Sequence, residues 1–196
     1  NPRVGDIKYK DLNGDGLINA LDRKRIGNGD VPNLVFGGGF NVTYKQWYFG
    51  AFFQGISGAD RMLNGDGIIP FNNSIGAERS NLLKIATNRW TEDNPSQNVF
   101  YPRLAHGNVE NANNSVGSTW WLKSIDFVRL KTIDFGYNLP KGTFSNLGLK
   151  NARVYIQGVN LLYWSNFKLW DPELNTGNGA SYPNIRTISF GVQANF

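Results

Sequence analysis

Residues 185–196 read IRTISFGVQANF and carry the clearest alternation in the chain. One face of this segment is apolar, with Ile188, Phe190, Val192, Ala194 and Phe196. The positions between them hold small or polar side chains, and this period of two residues predicts a β-strand. The length of the segment is close to the roughly 9–11 residues that a tilted strand needs to cross a bilayer, whereas strands of soluble proteins average about 5–6 residues.

Four further segments have strand character, at about 35–44, 47–57, 127–139 and 153–162. In the third of these we expect Phe127 to share a face with Ile133, Phe135 and Tyr137, although the alternation is imperfect at its start. The predicted fold class is therefore all-β with antiparallel strands. Alternation alone favours an ordinary sandwich of two sheets, because both sandwiches and membrane barrels have one apolar and one polar face.

The connections between the predicted strands alternate in length. They are short at 45–46 and 140–152, and long at 58–126 and 163–184. Short periplasmic turns that alternate with long outer loops are typical of outer-membrane barrels, whereas so long a connection is uncommon inside a compact soluble domain. The pattern therefore favours an antiparallel transmembrane β-barrel with extracellular loops at 1–34, 58–126 and 163–184. A short helix is predicted at 77–90, and the end at Phe196 is expected in the periplasm.

Composition excludes several classes of protein. No segment approaches the roughly 18 consecutive apolar residues of a membrane-spanning helix. The chain has no cysteine, which excludes disulfide frameworks and thiolate metal sites. Its net charge of +5 is spread along the sequence, so we expect no nucleic-acid partner. The chain starts at Asn1 without an initiator methionine, and we interpret its 196 residues as part of a longer protein.

Residues 11–22, DLNGDGLINALD, match the calcium-binding loop of an EF-hand. The predicted metal ligands are the side chains of Asp11, Asn13, Asp15 and Asp22 and the backbone carbonyl of Leu17. Gly16 stands where the loop turns sharply, and oxygen ligands at this spacing suit a hard cation. The last ligand is Asp instead of the usual Glu, and no flanking helices are predicted. We therefore expect a structural Ca²⁺ that stiffens a surface loop, with Ile18 anchored on apolar neighbours.

Other residues give weaker signals. His106 has no nucleophile or carboxylate at a spacing typical of catalysis, and Asp171-Pro172-Glu173 is interpreted as a loop with two solvated acids. No catalytic residues are therefore assigned and the protein is predicted not to be an enzyme. Four tryptophans beside the long connections fit either an aromatic girdle at the membrane interface or a sugar-stacking surface: Trp120, Trp121, Trp164 and Trp170.

The sequence also resembles a known family, the SusC-like TonB-dependent transporters (SusC/RagA family) of the Bacteroidota outer membrane. The resemblance covers essentially the whole chain, in the order of the family. The segments that carry it are GDIKYKDLNGDGLINALDRKRIGN (5–28), NRWTEDNP (88–95), YPRL (101–104), FVRLKTIDFGYNLP (127–140), RVYIQGVNLLYWSNFKLWDPELN (153–175) and SYPNIRTISFGVQANF (181–196).

The resemblance implies more than the strand pattern does. It implies a plugged barrel of about 22 strands, of which these residues form the last five or so. It also implies import of oligosaccharides, driven by the proton-motive force through TonB, ExbB and ExbD, together with a SusD-like surface lipoprotein. The loop 11–22 is expected to lie outside the cell beside that lipoprotein. Two alternatives stay open: a peptide importer of the same family, and a secreted calcium-binding β-sandwich. No residue is assigned to cargo binding.

Overall fold

The computed structural model of the protein describes residues 2–65, 67–70, 82–105, 112–143, 146 and 148–196. Within these residues the strands are β1 (Leu34–Tyr44), β2 (Trp47–Ser57), β3 (Asp60–Met62), β4 (Leu122–Ser124), β5 (Phe127–Asn138), β6 (Asn151–Ser165) and β7 (Thr187–Asn195). Short 3-10 helices lie at Ala20–Asp22 and Lys84–Thr87. In the described part of the chain, no helix has the length and apolar character needed to span a membrane.

The chain divides into two compact units. The first, called the loop unit below, comprises Asn1–Asp30, Asp60–Lys123 and Asn175–Ser181. The second, called the sheet unit, comprises Val31–Ala59, Ser124–Leu174 and Tyr182–Phe196. Sequence analysis predicted the five long strands of the sheet unit but neither β3 nor β4, which pair in a two-stranded sheet. Of the helix predicted at 77–90, positions 77–81 lie outside the described residues, and the rest contains only the 3-10 turn at Lys84–Thr87.

The five long strands form one sheet in the order β1-β2-β5-β6-β7. Every neighbouring pair is antiparallel. The tight turn at Lys45 and Gln46 connects β1 to β2, and Lys45 adopts a φ of 54° to make it. The all-β antiparallel fold class expected from the alternation is therefore confirmed.

One face of this sheet is apolar across all five strands. A single row of directly opposed residues consists of Val42, Phe49, Phe135, Ile156 and Phe190. The next row towards the short turns adds Tyr44, Trp47, Tyr137, Val154 and Val192. Many of these side chains are exposed, including Phe190 at 78%. Within the sheet unit no second sheet covers this face in the described residues, which fits a lipid-facing wall better than half of a sandwich.

The opposite face is polar and carries a repeated pairing of tyrosine with glycine. Tyr48 lies opposite Gly136, and Tyr155 lies opposite both Gly136 and Gly191. A Cβ atom at Gly136 would stand 2.4 Å from the Tyr48 hydroxyl, and one at Gly191 would stand 2.3 Å from the Tyr155 ring. Each glycine therefore leaves the space that a tyrosine ring of the neighbouring strand occupies. The Arg153 guanidinium lies 5.7 Å and 5.1 Å from the centroids of these two rings.

A register shift in β5 corrects the predicted face of Phe127. Leu130 lies opposite Phe53 and Thr132 opposite Phe52, so Lys131 is an extra residue against β2. One extra residue reverses which face the following side chains occupy. Phe127 is therefore not on the face of Phe135, as predicted, but on the polar face.

The same shift determines the environment of Arg129. Under strict alternation Arg129 would share the apolar face with Ile133 and Phe135, where an unpaired charge is costly. The extra residue Lys131 moves it to the polar face and places Leu130 on the apolar one. Arg129 retains only 2% of its side-chain exposure there.

The loop unit has a small aromatic core of its own. Trp121 and Tyr101 are 2% and 1% exposed, and their ring centroids lie 5.9 Å apart with Phe100 beside them. The Trp121 indole donates a hydrogen bond to the carbonyl of Asn114, at 2.7 Å, and the Tyr101 hydroxyl donates to that of Ile68, at 2.7 Å. Burial raises the pKa of Tyr101 to about 12. Both interpretations of Trp121, as a girdle residue or a sugar platform, are therefore wrong.

The two faces of the sheet predict opposite tolerance to charge at adjacent positions of β6. Ile156→Arg should lower the stability of the folded barrel by roughly 2–4 kcal/mol if it lies near the bilayer centre, because the guanidinium would face lipid. The matched control is Gln157→Arg, which places the same charge on the polar face and should have little effect. Urea unfolding of the full-length protein in lipid vesicles measures both changes. Equal losses in the two variants would contradict this assignment of the faces.

Candidate functional site

The loop 11–22 is organised around its first aspartate. Asp11 accepts hydrogen bonds from the backbone N–H groups of Gly14, at 2.6 Å, and Gly16, at 2.8 Å. The Asn13 side-chain oxygen accepts from the N–H of Asp15, and Asp15 accepts from the N–H of Leu17. These bonds turn consecutive N–H groups towards side-chain oxygens, as Asp and Asn commonly do in turns. The loop therefore has a defined shape although nearly all of its residues are exposed.

The twelfth residue of the loop closes it. The carboxylate of Asp22 accepts from the N–H of Leu12 through one oxygen and from the N–H of Asn19 through the other, both at 2.8 Å. The Asn19 side chain in turn accepts from the N–H of Leu21, which completes a reciprocal cap on the 3-10 helix Ala20–Asp22. Hydrogen bonds from the backbone of Asn19 and of Leu12 hold the pKa of Asp22 below its ordinary value of 3.8.

The fit of a metal ion to this loop is mixed. Carboxylate and amide oxygens are the ligands that Ca²⁺ prefers, and each oxygen keeps a lone pair beyond its hydrogen bond. However, among the described residues no three or more His, Cys, Asp or Glu side chains are gathered closely enough to hold a metal ion. The side chain of Ile18 is 54% exposed, so it does not anchor the loop on apolar neighbours as predicted. Leu17 and Leu21 are also exposed, at 65% and 73%.

A second polar cluster lies on the polar face of the sheet unit, and we call it the carboxylate clamp. It consists of Arg129 and Lys131 of β5 together with Asp171 and Glu173 of the segment after β6. Arg129 forms ion pairs with Asp171 and with Glu173, the latter at 2.9 Å, and Lys131 contacts Glu173 at 2.7 Å. Sequence analysis interpreted the two acids as solvated. They are instead only 11% and 20% exposed, and removing one partner of so buried a pair typically costs roughly 3–5 kcal/mol.

The remaining candidate residues fall elsewhere. His106 lies outside the described residues. Trp164 is 53% exposed on the apolar face of β6, which suits a girdle residue, whereas Trp170 packs edge-on against Phe167 at 5.1 Å. No catalytic arrangement of nucleophile, base and orienting group is built from the side chains described above.

The sequence is similar to three receptors of Formosa agariphila. It is 35% identical to TonB-dependent receptor P26 and 30% identical to TonB-dependent receptor P3, over 98% of this chain in each case. It is 32% identical to TonB-dependent receptor P39 over 99% of the chain. The chain belongs to the TonB-dependent receptors. It spans about a fifth of the length of these relatives, with 20% of P26 covered.

This TonB-dependent receptor chain is also similar to solved structures. The RagAB peptide importer matches it in its closed-closed state with a TM-score of 0.70 and in its open-open state with a TM-score of 0.69. The identity is 28% in both, over 91% and 92% of this chain and 19% of the solved one. The resemblance to the SusC/RagA family is thereby confirmed. No protein-family model matches the sequence.

Acid should loosen the loop 11–22 of this TonB-dependent receptor through Asp22. The pKa of Asp22 is lowered in the folded state, so its contribution to stability is fully present above pH 3.8 and is lost as the pH falls through the lowered value. Asp22→Asn should mimic this loss at neutral pH, because the two N–H groups bond to different oxygens of Asp22 and asparagine has an NH₂ donor in place of one of them. Hydrogen exchange of residues 11–22, corrected for intrinsic rates, should be faster in this variant. Unchanged exchange, relative to Asp93→Asn in another exposed loop, would contradict the assigned role.

Proposed function

We propose that this chain forms part of the wall of an outer-membrane importer energised through TonB. The observation that carries the proposal is the five-stranded antiparallel sheet with one continuous apolar face and one polar face, in a chain related to TonB-dependent receptors. An apolar face suits lipid, and a polar face suits a hydrated interior through which cargo passes. The residues correspond to about a fifth of the relatives, so import is a property of the longer protein.

The partners follow from the same relationship. The chain is similar to the RagAB peptide importer, and a surface lipoprotein of the SusD type is the partner we propose for this chain, as the resemblance to the SusC-like family implies. TonB, ExbB and ExbD would supply the energy through parts of the protein outside these residues. The mixture of polar and ionic side chains on one face of the sheet is compatible with such an interior, and the apolar face would contact outer-membrane lipid.

An oligosaccharide is the cargo that we propose, as the resemblance to the SusC-like family implies. A peptide is the second candidate, because the similar RagAB structures are those of a peptide transporter and importer. Both are chains of polar units that suit a hydrated passage. No described residue is assigned to either cargo.

Import can be tested in the full-length protein. Cells that express it should take up a fluorescently labelled oligosaccharide pool, and uptake should stop when an uncoupler removes the proton-motive force. Uptake of a labelled peptide pool instead would support the second candidate. Uptake of neither, or uptake that persists with the uncoupler, would contradict the proposed function.

A membrane fractionation separates the importer from the different class of protein. An outer-membrane barrel should require detergent for extraction and should migrate differently on gels before and after heating. Recovery in the soluble fraction without detergent would instead support a secreted calcium-binding β-sandwich.

We further propose that the loop 11–22 binds a structural Ca²⁺ through the side chains of Asp11, Asn13, Asp15 and Asp22 and the carbonyl of Leu17. The backbone hydrogen bonds that Asp11 and Asp22 accept support this, since they fix two of the proposed ligand carboxylates within the loop. The ion would stiffen the loop and would take no part in moving cargo.

Removing two of the proposed ligands tests the calcium site. Asp11→Ala combined with Asp15→Ala should abolish loop-bound Ca²⁺, because two of its charged ligands would be lost. Elemental mass spectrometry of the purified full-length protein after dialysis measures the bound metal. Glu92→Ala with Asp93→Ala, in another exposed loop, is the matched control and should leave the metal content unchanged. Equal metal content in both double variants would refute the site.

A further inference from the structure

The segment Asp171-Pro172-Glu173 has a role that its sequence does not reveal. Pro172 is almost fully buried, and the N–H of Glu173 donates a hydrogen bond to the Asp171 carboxylate at 3.0 Å. The N–H of Leu174 donates to the carbonyl of Asp171 at the same distance. This tight turn directs both carboxylates towards strand β5. The segment is therefore a hydrogen-bonded turn around a buried proline and not an exposed acidic turn.

Strand β5 meets the two acids with two cations. The Arg129 side chain is paired with both carboxylates and is covered by aromatic rings, with its guanidinium 5.1 Å from the centroid of Tyr163 and 5.6 Å from that of Phe127. The Lys131 ammonium contacts both oxygens of Glu173, at 2.7 and 3.0 Å. Two positive and two negative groups leave the clamp with no net charge, so the buried ions compensate one another.

Glu173 also contacts the segment that leads into strand β7. The side-chain amide of Asn184 donates a hydrogen bond to Glu173 at 3.0 Å, a few residues before β7 begins at Thr187. One carboxylate therefore joins β5, the segment leaving β6 and the segment entering β7. Surface loops are ordinarily more mobile than the strands they connect. Here Glu173 attaches the segment after β6 and the segment before β7 to strand β5.

We propose that Arg129 and Lys131 are positioning residues that hold the sheet-unit part of the β6–β7 loop, residues 166–174 and 182–186, in a fixed orientation at the long-loop end of the polar face. The inference rests on the proposed import function, because that end of the polar face is where cargo would enter. Glu173 is the shared anchor, and the extra residue Lys131 in β5 supplies the second cation at the correct face. Losing the anchor frees the loop while the ladder of strands remains paired.

A spin label reports the mobility of this loop without any measurement of import. The chain has no cysteine, so Lys168→Cys provides one labelling site in an exposed part of the loop, with any cysteine elsewhere in the full-length protein replaced by serine. In the parent protein the immobile component of the label spectrum should be the larger one. Glu173→Lys should make the mobile component the larger one, because it brings a third cation to Arg129 and Lys131. Lys131→Glu added to Glu173→Lys restores zero net charge and should shift the spectrum back towards the parent.

Three comparisons decide the proposal. An unchanged spectrum for Glu173→Lys in assembled barrels would overturn it, as would a double variant no less mobile than the single one. A label at Lys150→Cys, in a short turn at the opposite end, should be unaffected, and equal loosening there would show general destabilisation and overturn the positioning role.

If Glu173→Lys fails to assemble, the isosteric Glu173→Gln decides by the same criteria. Glu92→Lys is the control for surface charge reversal. Absent uptake by the parent protein refutes import but leaves the label result intact.

Discussion

The structure depends on one constraint: in an apolar environment every backbone N–H and C=O group must be paired within the protein. Strands β2, β5 and β6 meet this constraint along both of their edges, whereas β1 and β7 are each paired along one edge within these residues. Because side chains alternate along each strand, one pairing register gathers apolar side chains on one face and places polar ones such as Arg153 and Gln157 on the other. The row from Val42 to Phe190 is the result, since a slip of one residue in any strand would break it.

The break in that alternation at Lys131 explains the carboxylate clamp. If the register of β5 were regular, Arg129 would lie on the apolar face with Ile133 and Phe135. The extra residue Lys131 reverses the faces, so that Arg129 meets carboxylates and Leu130 takes its place on the apolar side. β-Bulges commonly re-aim a side chain in this way. The irregularity and the buried ion pairs are therefore one feature, and the segment after β6 is attached to the sheet by it.

Similar aromatic residues have different roles in the two units. Trp47 lies on the apolar face of the sheet unit, 47% exposed and 4.7 Å from the ring centroid of Tyr137. Trp121 of the loop unit is buried, and its indole N–H donates to a backbone carbonyl. An indole ring is both a large apolar surface and a hydrogen-bond donor, so composition cannot distinguish these uses. The loop 11–22 adds a third kind of local structure, held by hydrogen bonds from its own backbone to Asp11 and Asp22.

The sequence by itself determined the features that depend on neighbours along the chain. The alternation from Ile188 to Phe196 indicated a strand with a polar and an apolar face. The Asp, Asn and Gly residues at 11–16 indicated a loop with sharp turns. Only the tertiary structure decided the features that depend on distant residues. The face on which Phe127 lies is determined by the register of β5 against β2. Trp121 is buried because it packs against Tyr101 and donates a hydrogen bond to Asn114. Arg129 pairs with Asp171, which is 42 positions away in the sequence. These are contacts across strands and loops, and local periodicity carries no information about which distant groups will meet.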